Sequence, residues 1–92
     1  MLDTKTDEVL SILQEECAEV IQAISKVKRF GAKNNIESLA VEIGDMLYLT
    51  ELAKLQLKEL DEFDYDSHKK MKFFKLREFS SIFNDTKYNK IL

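Results

Sequence analysis

Apolar residues recur at intervals of three and four along the first third of the chain, as expected for one face of an α-helix. These positions are Leu10, Leu13, Cys17, Val20, Ile21, Ile24 and Val27. With Thr4 or Thr6 as the N-cap and Gly31 as the stop, the pattern predicts a first helix over roughly residues 5–30. Cys17 falls within the pattern, so we expect it to be a small buried apolar residue rather than a redox or catalytic thiol.

A second apolar band follows a short turn at residues 32–35. Asn34 and Glu37 have the spacing of an N-cap and an acid at the third helical position. The band that follows is wide and contains Ile36, Leu39, Ala40, Ile43, Met46, Leu47, Leu49, Leu52 and Leu55. Because the connection is short, the two helices should be antiparallel neighbours. Gly44 inside the second helix indicates close approach of another backbone or a ligand, with plain tolerance of glycine as the alternative.

The periodicity breaks over residues 60–66 and resumes in a basic segment. Asp66 is the expected N-cap of a third helix from Ser67 to about Phe83. Its apolar stripe consists of Phe73, Leu76, Phe79 and Phe83. Residues 84–92 lack periodicity and should form a flexible tail or pack on a partner subunit. We therefore predict one all-α domain over residues 1–92 with its core at 5–83, an antiparallel helical bundle whose four-helix core is completed by dimerisation.

Composition and charge narrow the possible functions. Residues 1–66 contain 15 acids against 7 bases, whereas residues 67–92 contain 2 acids against 7 bases. The acidic body argues against binding to nucleic acid, and no apolar run is long enough to cross a membrane, so we expect a cytoplasmic protein. With one cysteine and one histidine, the usual structural zinc site and the bundle di-iron site are excluded within one chain.

Two acidic pairs interrupt the apolar pattern. Glu16 with Glu19, and Glu42 with Asp45, are spaced three residues apart, so each pair presents two carboxylates to one helix face. Four carboxylates can converge if the two helices pair, and a hard divalent cation would then offset their repulsion. An all-oxygen donor set suits Mg²⁺, with Mn²⁺ as a substitute, rather than zinc or copper.

These residues also resemble a known family. Glu15-Glu16-Cys17-Ala18-Glu19 followed by Glu42-Ile43-Gly44-Asp45 resembles the paired Glu-Glu-x-x-Glu and Glu-x-x-Asp signature of the MazG-like all-α nucleoside triphosphate pyrophosphohydrolases. The resemblance covers about residues 9–55. It implies a homodimer or homotetramer that hydrolyses a (deoxy)nucleoside triphosphate to the monophosphate and pyrophosphate with Mg²⁺.

The resemblance also implies roles for individual residues. The metal ligands would be Glu16, Glu19, Glu42 and Asp45. Glu15 would bind a second metal ion, orient a water molecule or remain solvated. These five acids together form the expected catalytic set. Many relatives carry a Lys, an Asn and an Arg on a later helix near the phosphates and base. Here the corresponding segment supplies Lys70, Lys72 and Arg77 as the expected substrate-binding cations, without the Asn.

Two other classes of function remain open from the sequence. In a non-catalytic helical interaction protein, the acids would only solvate the bundle, and Mg²⁺ would not raise the melting temperature. A nucleotide-binding regulator would keep the pocket but release no pyrophosphate.

Overall fold

A computed structural model describes residues 1–79 and 86–92, which form helices and no strand. The elements are α1 (Thr4–Phe30), α2 (Ile36–Gln56), α3 (Lys58–Asp61), α4 (Tyr65–Phe79) and a 3-10 helix (Thr86–Ile91). The all-α prediction is confirmed. The chain divides into two compact units, Met1–Asp61 and Glu62–Leu92. No helix in the described ranges is both long and apolar enough to span a membrane.

The start of α1 is fixed by Asp3, which corrects the expectation that Thr4 or Thr6 caps this helix. The backbone N–H of Thr6 donates to Asp3 Oδ1 at 2.8 Å, and the Thr6 hydroxyl donates to Oδ2 at 3.0 Å. These hydrogen bonds to the charged form lower the pKa of Asp3. Thr6 itself is buried, and its Oγ1 accepts from Gln56 Nε2 at 3.1 Å. A series of hydrogen bonds from Asp3 through Thr6 to Gln56 thus joins the start of α1 to the end of α2.

The turn between α1 and α2 depends on two left-handed residues. Gly31 ends α1 with φ 90°, as predicted, and its N–H donates to Val27 O. Asn34 has φ 68° and lies two residues before α2 begins at Ile36, so the expectation that it caps α2 is wrong. Asn35 occupies the N-cap position instead, and its side-chain amide donates back to Gly31 O at 3.0 Å.

The antiparallel helices α1 and α2 meet along a narrow seam. Its positions are spaced alternately by three and four residues, as in a coiled coil, and are half-buried or buried. In α1 they are Thr6, Val9, Leu13, Glu16, Val20, Ala23 and Val27, and in α2 they are Leu39, Glu42, Met46, Leu49, Ala53 and Gln56. The predicted pairing of these two helices is therefore observed, and the seam includes two acids.

Much of the predicted apolar pattern lies outside this seam. Cys17 is exposed, which corrects the expectation of a buried thiol, and Ile21 is 65% exposed. A seam of alternating three- and four-residue steps is narrower than the full apolar band, so these positions of α1 do not reach α2. The outward face of α2 is also apolar and exposed, with Val41, Tyr48 and Leu55 at 55%, 65% and 75%.

The helix predicted from Ser67 to about Phe83 begins earlier than expected. The helix α4 starts at Tyr65 rather than Ser67, and Asp64 Oδ1, not Asp66, accepts the backbone N–H of Ser67. Phe73 and Leu76 are half-buried as predicted, but Phe79 is 84% exposed. The predicted end at Phe83 lies outside the described residues. The 3-10 helix occupies most of the segment expected to be aperiodic.

Candidate metal centre

Glu16 and Glu42 occupy positions of the α1–α2 seam that elsewhere hold mainly apolar side chains. Glu16 lies between Leu13 and Val20 on α1, and Glu42 lies between Leu39 and Met46 on α2. Both carboxylates are half-buried. Acids at such positions are costly unless they are protonated, paired or coordinated. The regular repeat of the two helices therefore brings these two acids to the same interface.

Glu19 joins them from one turn further along α1. Glu16, Glu19 and Glu42 each offer a carboxylate oxygen, and these oxygens all lie within 4.8 Å of one another. Glu19 is exposed, so the group opens to solvent on its side. Three of the four metal ligands predicted from the sequence are thus close enough to share one cation.

Electrostatics within the group are unfavourable without such a cation. One oxygen of Glu16 and one of Glu42 are buried and have no hydrogen-bond partner. Glu42 shares a hydrogen bond with the Glu19 carboxylate. This hydrogen bond, together with desolvation and the charges of the surrounding acids, raises the pKa of Glu42 to about 7. Desolvation, followed by the charges of Glu19 and Asp45, raises the pKa of Glu16. The carboxyl groups of both half-buried acids therefore resist ionisation.

Asp45 and Glu15 lie at the edge of the group. Asp45 is exposed and is not among the three acids whose oxygens converge, but its negative charge contributes to the raised pKa of both Glu16 and Glu42. Glu15 is exposed and precedes Glu19 by four residues, on the same side of α1. Both remain predicted site residues.

The donor set fits a hard divalent cation. Carboxylate oxygens are the ligands that Mg²⁺ and Mn²⁺ prefer. Two of the carboxylate oxygens in this site, one from Glu16 and one from Glu42, have no hydrogen-bond partner. Glu16, Glu19 and Glu42 would hold the cation. No sulfur or imidazole ligand belongs to this group, which disfavours the softer metals.

The predicted substrate-binding cations lie on another element. Lys70, Lys72 and Arg77 are all on α4, in the second unit. Each is exposed, and the Arg77 guanidinium stacks over the Phe73 ring at 5.5 Å from its centroid. Their role at the phosphates stays a prediction.

Sequence reasoning missed a cleft beside the carboxylates. A volume of about 340 Å³ opens between α1 and α2 and is lined by Glu19, Gln22, Ala23, Lys26, Ser38 and Glu42. The signal was present in the spacing, since Glu15, Glu19, Gln22 and Lys26 follow one another at intervals of four, three and four.

Comparison with known proteins identifies the family to which this arrangement belongs. The search of curated proteins gave no match, and the search of solved structures gave none either. A family model described as the MazG nucleotide pyrophosphohydrolase domain matches residues 4–78, which include α1, α2 and nearly all of α4. The matched region spans most of the chain and confirms the predicted resemblance. The chain belongs to the MazG nucleotide pyrophosphohydrolase family.

Proposed function

We propose that the protein is a Mg²⁺-dependent pyrophosphohydrolase that converts a (deoxy)nucleoside triphosphate to the monophosphate and pyrophosphate. Family membership supports nucleotide pyrophosphohydrolysis in general. Metal dependence is supported by one observation: Glu16 and Glu42 each have a buried carboxylate oxygen without a hydrogen-bond partner. A cation bound there satisfies both oxygens and offsets the repulsion among the acids.

The proposed roles of the acids follow from their exposure and position. Glu16 and Glu42 hold the cation from the half-buried side, and Glu19 holds it from the solvent side. Asp45, which lies close enough to influence their pKa values, is the proposed fourth ligand. Magnesium, when bound, supplies Lewis-acid stabilisation of the phosphoryl oxygens.

Hydrolysis also requires an oriented water molecule and a stabilised leaving group. Attack of water on the α-phosphorus breaks the bond to the bridging oxygen, on which negative charge accumulates as pyrophosphate leaves. Glu15, exposed and one turn before Glu19, is the proposed residue that orients this water. Lys70, Lys72 and Arg77 are proposed to neutralise the phosphates, and Arg77 can hold two oxygens with its planar fork.

A product screen tests this function. Ribo- and deoxynucleoside triphosphates are each incubated with the protein and Mg²⁺ or Mn²⁺, and pyrophosphate and monophosphate are quantified. The proposal predicts equal amounts of the two products with at least one nucleotide, and none in the presence of EDTA. Tight nucleotide binding without either product would instead identify a nucleotide-binding regulator.

We also propose that the protein is a homodimer in which a second copy covers the outward face of α2. This helix is apolar on the seam and on the face opposite to it, a pattern typical of a helix buried on both sides. Gly44 lies on the outward face with Val41 and Tyr48, and a Cβ built on it meets no atom within 4 Å in the same chain. Close approach at Gly44 would then come from the second copy, which completes the four-helix core.

A further inference from the structure

The cleft beside the carboxylates differs in chemistry along its length. One end is formed by Glu19 and Glu42, which belong to the proposed metal centre. Its other lining groups include the Gln22 amide, the Lys26 ammonium group and the Ser38 hydroxyl. A negatively charged end and a cationic, hydrogen-bonding end thus share one cleft of about 340 Å³.

The two helices place these ends in a defined order. Lys26 follows Glu19 by seven residues on the same side of α1, so their backbones are about 10 Å apart along the helix axis. Ser38 precedes Glu42 by one turn on α2, and because α2 runs antiparallel to α1, Ser38 and Lys26 lie toward the same end of the helix pair. The cationic end is therefore one to two helical turns away from the carboxylates.

This end of the cleft favours an anion. Within the part of the chain that the structure describes, Lys26 has no ion-pair partner. Ser38 lies in the first turn of α2, where the helix dipole adds positive potential. The amide of Gln22 and the hydroxyl of Ser38 can each donate a hydrogen bond to an oxygen of the anion.

We propose that Lys26, Gln22 and Ser38 form a subsite for the two phosphoryl groups that leave as pyrophosphate. This inference rests on the proposed function, because the metal centre at Glu19 and Glu42 must hold the phosphate chain at its other end. The Lys26 ammonium group binds the distal phosphate oxygens as a compact point charge, and Gln22 and Ser38 each donate a hydrogen bond to another oxygen of the leaving group. Lys26 belongs to the same helix pair as the acids and so is held at a fixed spacing from them.

The alternative is that Lys26 only stabilises the C-terminal end of α1, in which case its loss would not weaken pyrophosphate binding. Basic residues near a helix C-terminus interact favourably with the dipole, and Lys28 and Arg29 in the last turn of α1 do the same. Neither of these residues lines the cleft. Lys28→Gln therefore removes the same charge from the same end of α1 without touching the proposed subsite, and it is the matched control.

The test is equilibrium binding of pyrophosphate to the full chain in the presence of Mg²⁺, measured by titration calorimetry. Lys26→Gln should raise the Kd for pyrophosphate roughly 10- to 100-fold, as expected for loss of a charge-assisted contact, while Lys26→Arg should restore most of the affinity. Lys28→Gln should leave Kd within about twofold of the parent. Circular dichroism of each variant verifies that the helices are intact.

The pyrophosphate-binding experiment tests the subsite independently of the proposed function, because binding does not require hydrolysis of a nucleotide. If the parent hydrolyses a nucleotide but Lys26→Gln binds pyrophosphate as tightly as the parent, the subsite is wrong and the function stands. If the parent hydrolyses nothing, yet pyrophosphate binding depends on Lys26 and not on Lys28, the function is wrong and the anion subsite stands. A parent that does not bind pyrophosphate with Mg²⁺ contradicts the subsite as well.

Discussion

Glu16 and Glu42 approach each other across the α1–α2 seam with carboxylate oxygens within 4.8 Å, and each keeps one buried oxygen without a hydrogen-bond partner. Both occupy positions where the three-and-four repeat of the seam calls for apolar side chains. The helix pair therefore carries an electrostatic cost at its centre, which a bound cation removes.

The first prediction is that Mg²⁺ stabilises the parent and that Glu42→Gln abolishes the effect. Binding to the folded state alone should raise the melting temperature of the parent by roughly 5–10 °C at ten times the Kd. Glu42→Gln relieves repulsion, so its metal-free melting temperature should equal or exceed that of the parent, with no further rise on adding Mg²⁺. Differential scanning calorimetry with and without EDTA measures both quantities.

Glu51→Gln is the matched control for this experiment. Glu51 lies on the same helix with an exposed side chain, and it makes only a 3.9 Å surface ion pair with Lys54. This variant should respond to Mg²⁺ as the parent does. An unchanged Mg²⁺ response in Glu42→Gln would remove Glu42 from the metal site.

The second prediction concerns the pH dependence of stability in the metal-free protein. The folded pKa of Glu42, about 7, exceeds the ordinary value of 4.5, so the folded state holds this proton more tightly than the unfolded state. The stabilisation is complete below pH 4.5 and is lost as the pH rises through about 7. Urea unfolding in EDTA should therefore show stability that decreases over this interval, and the decrease should be smaller in Glu42→Gln. A parent whose stability rises from pH 5 to pH 7 would contradict the buried, crowded state of this carboxyl.

The third prediction concerns the outward face of α2. If a second copy covers Tyr48, the parent should sediment as a dimer at micromolar concentration, and Tyr48→Lys should weaken association at least roughly tenfold because an ammonium group would be buried without a partner. Ser25→Lys adds the same charge to an exposed position of α1 and should remain dimeric. A monomeric parent, or a Tyr48→Lys variant that dimerises normally, would reject this interface.

The fourth prediction concerns the cations of α4. Lys70→Gln, Lys72→Gln and Arg77→Gln are measured against Lys75→Gln, an exposed lysine of the same helix. If the α4 cations contact the phosphates, at least one of the first three variants should lower kcat/KM by roughly one to three orders of magnitude. Lys75→Gln should retain parental kinetics. Parental rates in all three variants would assign these residues to the solvated surface.

The first two helices were predictable from the sequence because they depend on local spacing; of the four acids expected to converge, Glu16, Glu19 and Glu42 do so and Asp45 does not. The observed α1 differs from the expected residues 5–30 by one residue because Gly31 stops the helix, and α2 begins directly after the turn expected at residues 32–35. The caps were less predictable, because several neighbouring residues are chemically able to cap. Burial of Thr6 against Gln56 leaves Asp3 as the cap, and the left-handed Asn34 moves the start of α2 onward.

The distribution of exposed residues depended on information that local spacing does not contain. The apolar band of α1 predicted burial of Cys17, yet the narrow seam leaves it exposed. The cleft lined by Lys26 and Ser38 requires the antiparallel register of two helices, which neither helix encodes alone. For α4, the chain pattern predicts a basic amphipathic helix but not which surface its cations meet.

The most direct test of the central claim is hydrolysis of the preferred nucleotide in ¹⁸O-labelled water with Mg²⁺, followed by mass spectrometry of the products. The proposed attack on the α-phosphorus predicts one ¹⁸O atom in the nucleoside monophosphate and none in pyrophosphate. Glu42→Gln should form labelled product at least roughly a hundredfold more slowly than the parent, whereas Glu51→Gln should match it. Label in pyrophosphate or orthophosphate, or parental turnover by Glu42→Gln at saturating Mg²⁺, would contradict a pyrophosphohydrolase built on these carboxylates.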